Sequence, residues 1–174
     1  FKFLKSVAKV TPKVSLPAPP MLHFMRANDD YKKAYHDNDA LWADLVAVYR
    51  SEIKALYDAG CRHIQLDECM LAMLCDPRHQ EVARKRGEDP EGLIRQYAKV
   101  INASISARPK DMTATMHLCR GNLNAYWGAA GGYEPVAEAA FKHVDVDGYL
   151  LEYDTERAGD FAPLRFVPKG KVVF

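Results

Sequence analysis

The 174-residue sequence predicts an α/β protein whose parallel strands form part of a (β/α)8 TIM barrel. Short β-branched runs alternate with amphipathic helical stretches, which is typical of parallel sheets with right-handed crossovers. Polar residues follow several predicted strands, where the active sites of barrels are built. An open doubly wound sheet fits the same alternation, but no GxGxxG or P-loop follows any strand, which disfavours its nucleotide-binding version.

Five strands are predicted, and they are separated by helical or turn-rich segments. They cover residues 11–16, 63–67, 112–118, 146–152 and 171–174. A full barrel typically needs ~250 residues. We therefore expect residues 1–174 to be a single domain that forms an incomplete barrel, with the chain stopping inside a late strand.

Three longer helices are predicted between the strands, over residues 39–59, 90–105 and 135–142. The first has apolar residues at helical spacing, with Asn38 or Asp39 as its cap and Gly60 at the position of a left-handed C-terminal residue. The second is indicated by Asp89, a capping residue, followed by Pro90 at the first helical position.

Composition and charge exclude several classes of protein. The chain has 24 basic and 23 acidic residues and a net charge of +1, so there is no electrostatic footprint for nucleic acid or an anionic membrane surface. No run approaches the ~18 apolar residues of a membrane span, and the N-terminal segment lacks a signal-peptide pattern. Four cysteines without a CxxC pair favour a reducing, cytoplasmic setting.

His117 and Cys119 are the strongest candidates for chemistry. They lie two residues apart at the end of a predicted strand, so they project to the same side. Glu152 ends the next strand and supplies a carboxylate. Zinc accepts this mixture of nitrogen, sulfur and oxygen ligands. By spacing alone, His-x-Cys is weak evidence for a metal, and purely structural roles, as a buried thiol and a hydrogen-bonded histidine, are favoured.

Asp67 and Glu68 form a second candidate pair at the end of the strand HIQLDE. A carboxylate there is costly to bury unless it is paired, so it is expected to face a polar cavity or a cation such as a substrate ammonium. The alternative is a capping role for the helix that follows. The remaining cysteines, Cys61, Cys69 and Cys75, are interpreted as structural.

Four ordered motifs resemble the catalytic barrel of cobalamin-independent methionine synthase, in particular the short single-barrel "methionine synthase II" proteins. The motifs are HIQLDE, MHLCRGN, GGYEPVAE and DGYLLEYDTERAGDFAPLRF. Together they extend the similarity over about residues 12–174.

This resemblance implies a zinc-dependent methyltransferase that moves a methyl group from methyltetrahydrofolate or a similar donor to the thiol of homocysteine. His117, Cys119 and Glu152 match three of the family's zinc ligands, and the fourth, a cysteine, lies later in the family's sequences than Phe174. Asp67 matches a residue that contacts the amino group of the substrate, with Glu68 beside it.

Two departures from the family pattern leave the methyl donor open. Cys69 stands where the better known enzymes have Pro, and Met73 stands where they have a Glu that helps to hold folate. The alternatives are a related alkyltransferase or lyase that uses another thiol or a corrinoid donor, and an inactive fragment that binds a ligand or self-associates through exposed strand edges.

Overall fold

The computed structural model describes residues 1–25, 31–123 and 126–174. Its strands, in chain order, are β1 (Val14–Pro17), β2 (His63–Asp67), β3 (Thr113–Leu118), β4 (Asn122–Leu123), β5 (Tyr126–Trp127), β6 (Gly148–Leu151) and β7 (Val172–Val173). Strands β4 and β5 pair antiparallel with each other. The other five form one parallel sheet in the order β1-β2-β3-β6-β7.

The strand order distinguishes between the two predicted architectures. Along the sheet the strands follow one another as they do along the chain, without reversal. A doubly wound sheet reverses its strand order near the middle, whereas a barrel does not. The sheet and its helices therefore form part of a TIM-barrel-like fold, which confirms the predicted fold class.

All five predicted strands are present, although most are shorter than predicted. The first begins at Val14 because the residues before it make no ladder, and the last is reduced to Val172–Val173. The antiparallel pair β4–β5 was not predicted.

Seven α-helices lie within the described residues. They are α1 (Lys2–Val7), α2 (Pro20–Phe24), α3 (Tyr31–Ala34), α4 (Asn38–Asp58), α5 (Met70–Met73), α6 (Pro77–Lys85) and α7 (Pro90–Ile105). The two longest, α4 and α7, confirm their predictions. The other five are short, and sequence periodicity over so few residues indicates little.

The caps of the two long helices follow the predicted chemistry with one correction. Asp89 caps α7 by accepting a hydrogen bond from Gly92 N–H at 2.7 Å. For α4 the cap is Asp37, which accepts from Ala40 N–H at 2.8 Å, and not Asn38 or Asp39. Gly60 follows this helix with φ +93°, the left-handed conformation that its position predicts.

The third predicted helix, over residues 135–142, is wrong as a regular α-helix. The segment is divided into a 3-10 turn, Glu134–Val136, and a π-helical turn, Glu138–Lys142. Further 3-10 turns cover Glu156–Ala158 and Ala162–Phe166. None of the helices within the described ranges is long and apolar enough to span a membrane.

The two faces of the central strands differ in polarity. On one face His63 Nε2 lies 3.1 Å from Thr115 Oγ1, and Gln65 donates a hydrogen bond to Asp67 Oδ1 at 2.7 Å. The side chains that alternate with these are fully buried and apolar, and they share one core with α4 and α7: Ile64, Leu66, Ala114 and Met116. Alternation along the strands thus leaves a polar face that leads towards the strand ends.

Candidate metal centre

The carboxyl ends of β3 and β6 bring three potential metal ligands together. His117 is the penultimate residue of β3 and pairs with Leu150 of β6, so both strands end at the same level. Cys119 follows β3 and Glu152 follows β6. One donor atom from each of His117, Cys119 and Glu152 can be chosen such that all lie within 4.8 Å of one another. His117 Nε2 is 3.8 Å from Glu152 Oε1.

The imidazole of His117 is oriented with one nitrogen available for a ligand. Its Nδ1 lies 3.2 Å from the carbonyl oxygen of Leu150. A carbonyl can only accept, so Nδ1 carries the proton in this contact. In the neutral ring the lone pair is then on Nε2, which faces Glu152, and this is how metal-binding histidines are commonly held.

The thiol of Cys119 is surrounded by hydrogen-bond donors. A hydrogen bond from Cys69, whose Sγ lies 3.0 Å away, is the largest influence that lowers the pKa of Cys119, and His117 and the backbone N–H of Gly121 lower it further. In turn, the bond to Cys119 raises the pKa of Cys69 and that of His117. These contacts favour the thiolate form of Cys119, the form in which cysteine binds metal.

Arg120 ties together the two chain segments that carry these donors. It is fully buried, and its Nε and Nη1 donate to the carbonyl oxygens of Gly131 and Glu152, both at 2.8 Å. Its guanidinium lies 4.2 Å from the centre of the Tyr133 ring. Sequence analysis missed this role. The available signal was the charged residue directly after Cys119.

Tyr133 reinforces the same connection. Its hydroxyl donates to the carbonyl of Leu118 at 2.7 Å and accepts from the backbone N–H of Glu152 at 3.1 Å. The end of β3 and the end of β6 are thus joined through one buried phenol. Because the donors sit on backbone that is fixed in this way, the cluster is pre-organised.

The donor cluster faces a cavity of about 880 Å³. Its wall includes Trp127, whose ring lies 4.9 Å from the Arg157 guanidinium. Arg157 also pairs with Asp154 at 2.9 Å and lies 3.9 Å from Glu152 Oε2. A cavity of this size with an aromatic wall and a few charged groups suits a small molecule.

Asp67 and Glu68 lie at the neighbouring strand end, outside the donor cluster. Asp67 pairs with His117 across β2 and β3 and is half-buried. Glu68 is fully buried, and its Oε1 accepts from the backbone N–H of Leu71 at 2.8 Å. Burial raises the pKa of Glu68 to about 7. These contacts favour the capping alternative for Glu68, and neither residue is among the described ones that line the cavity.

The donor set fits zinc. An imidazole nitrogen, a thiolate sulfur and a carboxylate oxygen are ligands that zinc accepts, and they would supply three of the four ligands of a tetrahedral site. Cys69, which was interpreted as structural, contacts the thiolate of this set. Cys69 reaches Cys119 only through the tertiary structure.

These features define a class: a TIM-barrel-like protein with a candidate metal centre at the carboxyl ends of its strands. No protein-family model matches the sequence. Two uncharacterized proteins of Bacillus subtilis (strain 168) are similar to it: YxjH, 44% identical over 170 residues, and YxjG, 40% identical over 172 residues. Each alignment covers 97% of this chain and 45% of the relative, so the chain spans a little under half the length of these curated relatives.

A solved structure adds a more specific similarity. It is a Listeria monocytogenes protein provisionally designated a vitamin-B12-independent methionine synthase. The TM-score is 0.76 at 36% sequence identity, and the match covers 99% of this chain and 48% of that one. The comparison supports the family-level resemblance that the motifs indicated.

Proposed function

We propose that this chain carries the metal-binding part of a zinc-dependent methyltransferase that methylates the thiol of homocysteine to give methionine. The observation that carries the proposal is the convergence of His117, Cys119 and Glu152 on one small-molecule cavity. The similarity to the Listeria protein supports it.

The three donors would hold the metal, and two of them have further contacts that orient them. Leu150 fixes the His117 ring, and Arg120 and Tyr133 fix the backbone that carries Glu152. Bound zinc supplies Lewis-acid chemistry that lowers the pKa of a substrate thiol and makes it nucleophilic.

Asp67 and Glu68 have separate roles in this proposal. Asp67 is proposed to bind the ammonium of homocysteine from the end of β2, with Glu68 behind it as the group that caps the next helix. The sulfur attacks the methyl carbon, the carbon–nitrogen bond of the donor breaks, and the leaving nitrogen takes up the proton that the thiol lost. Alignment of sulfur with the methyl carbon supplies much of the acceleration.

A related alkyltransferase with a different methyl donor is the second candidate. It is favoured by Met73, which replaces the Glu that the family resemblance associates with folate. A methyl group in place of the Gly121 hydrogen would lie 2.8 Å from Met73 Cε, so the thioether packs against the cavity wall. The side chain at position 73 is therefore apolar, and it lacks the carboxylate that would bind folate.

Zinc binding tests the proposal directly. The full-length protein that contains this chain is stripped with a chelator and titrated with zinc, and bound metal is measured by mass spectrometry. We expect about one zinc per chain in the wild type and a loss of at least tenfold in affinity in H117A and C119S. C61S, a change at a buried cysteine outside the cluster, is the matched control. Undiminished zinc in both ligand variants would contradict the assignment.

The methyl donor is then identified by activity. Homocysteine is incubated with the zinc-loaded protein and, in separate reactions, methyltetrahydrofolate, its polyglutamate form and a methylated corrinoid, and methionine is measured. Product with a folate supports the first candidate, and product only with the corrinoid supports the second. Absence of product with every donor in a protein that binds zinc would contradict the methyltransferase proposal for homocysteine.

A further inference from the structure

Cys69 and Cys119 form a thiol pair although 50 residues separate them in the sequence, and their sulfur atoms lie 3.0 Å apart. The strands that precede them are neighbours, with Asp67 paired to His117. The backbone N–H of Glu68 continues this pairing by donating to the carbonyl of His117 at 2.8 Å. The two cysteines therefore follow strand ends that backbone hydrogen bonds hold at the same level.

This arrangement is compatible with a disulfide. Neighbouring strands lie ~4.8 Å apart, which falls within the range of about 4.4–6.8 Å that Cα atoms span across a disulfide. The sulfur atoms would have to approach by about 1 Å to reach bonding distance. Rotation of two side chains supplies such a movement without a change in strand pairing.

A reactant can reach only part of the cysteine set. Cys119 lines the cavity, and both Cys69 and Cys119 are half-buried. Cys61 and Cys75 are buried and donate to backbone carbonyl oxygens, of His63 and Leu71 respectively. Among the four thiols, Cys69 and Cys119 are thus both partly accessible and close to each other.

We propose that Cys119 and Cys69 form a reversible disulfide by exchange with a low-molecular-weight disulfide of the glutathione class, with Cys69 as the resolving thiol. The Cys119 thiolate attacks one sulfur of the reactant, a mixed disulfide forms, and the first thiol leaves as a thiolate that takes a proton from water. Cys69 then loses its proton, attacks the Cys119 sulfur and expels the second thiol, which takes that proton. Two protein thiols are oxidised by two electrons, and the reactant is reduced to two thiols.

Disulfide formation would also affect the candidate metal centre, because Cys119 belongs to both the thiol pair and the donor set. A disulfide sulfur is not a thiolate, so oxidation removes Cys119 from the donor set of His117 and Glu152. This part of the inference rests on the proposed function. The exchange reaction itself does not, because it needs only the two thiols and the cavity.

Peptide mapping tests the exchange. The metal-free, full-length protein is treated with oxidised glutathione, blocked with an alkylating agent and digested with trypsin without reduction. In the wild type we expect a cross-link between the peptide of residues 63–78, which contains Cys69, and that of residues 111–120, which contains Cys119. In C69S the mixed disulfide on Cys119 should accumulate about tenfold because the resolving thiol is missing.

The control is C75S, since Cys75 lies in the same tryptic peptide as Cys69. This variant should still form the cross-link. Equal amounts of mixed disulfide on Cys119 in the wild type and in C69S, or loss of the cross-link in C75S with its retention in C69S, would overturn the assignment of Cys69.

A second measurement separates this inference from the proposed function. Zinc content is measured in reduced, oxidised and re-reduced protein. We expect zinc to be lost on oxidation and recovered on reduction in the wild type. If the reduced protein binds no zinc but the cross-link forms, the proposed function fails and the exchange stands. If zinc binds and no cross-link forms, the further inference fails alone.

Discussion

The carboxyl ends of β2 and β3 lie side by side, yet they use their polar residues differently. At the end of β3, His117 and Cys119 face a cavity together with Glu152 from β6. At the end of β2, Glu68 turns away from the cavity, is fully buried and accepts from the backbone of Leu71. Both ends carry residues that could bind a substrate or a metal.

The difference arises from the chain that follows each strand. After β2 the chain enters α5 within three residues, and the first N–H groups of that helix lack partners unless a side chain supplies an acceptor. Glu68 is the acceptor. After β3 the chain continues into the β4–β5 pair instead, so no helix competes for the side chains of His117 and Cys119. The segment that follows each strand therefore determines whether the polar residues at that strand end are available for ligands.

Arg120 holds the β3 and β6 ends in register, and its removal should have the largest effect. R120M removes the guanidinium that donates to the carbonyl oxygens of Gly131, Glu152 and Ala158. We expect a loss of about 3–5 kcal/mol in the free energy of unfolding, measured with urea.

The matched control for that change is R165M. Arg165 is about half exposed and pairs with Glu134, so its removal should affect stability much less than R120M does. Similar losses in the two variants would contradict the structural role of Arg120 and would weaken the contrast between the strand ends.

Glu68 should make the β2 end sensitive to pH. Its pKa is raised to about 7 from 4.5, so ionisation costs the folded state more than the unfolded one. The stabilising contribution of this carboxyl is complete below about pH 4.5 and is lost as pH rises through about 7. The stability of the wild type relative to E68Q should fall by roughly 2–3 kcal/mol between pH 5 and pH 8.

Gln keeps an oxygen that accepts from Leu71, so E68Q preserves the cap while removing the ionisation. Thermal or urea unfolding of both proteins across this pH range checks the prediction. A stability difference that stays constant with pH would show that Glu68 does not ionise in the folded protein or is not buried as described.

Asp67 should show the smallest effect on stability. It is half-buried, and its Oδ1 accepts from Gln65, a bond that the oxygen of Asn can keep. D67N should change the free energy of unfolding by no more than about 0.5 kcal/mol. Under the proposed function it should raise the KM for homocysteine about tenfold, because a charged partner of the ammonium is lost. An unchanged KM would remove Asp67 from the substrate site.

Sequence alone determined the strand alternation, the ends of α7 and the chemical types of the donors. These depend on local properties: the two-residue period of strands, helix capping by Asp89, and the spacing of His117 and Cys119 on one face. The residues also indicated Glu152 and zinc, and the resemblance to a known family added the expectation of methyl transfer to homocysteine. The third helix was mispredicted because its apolar pattern is compatible with tighter and wider turns as well as with an α-helix.

Tertiary structure alone decided the contacts between segments distant in sequence. Cys69 reaches Cys119 only because β2 pairs with β3, and Arg120 joins Cys119 to Glu152 only because β6 lies beside β3. Glu68 became a buried cap and not a cavity group because a helix follows β2 immediately. Such outcomes depend on which elements become neighbours, and local spacing along a chain carries little information about that choice.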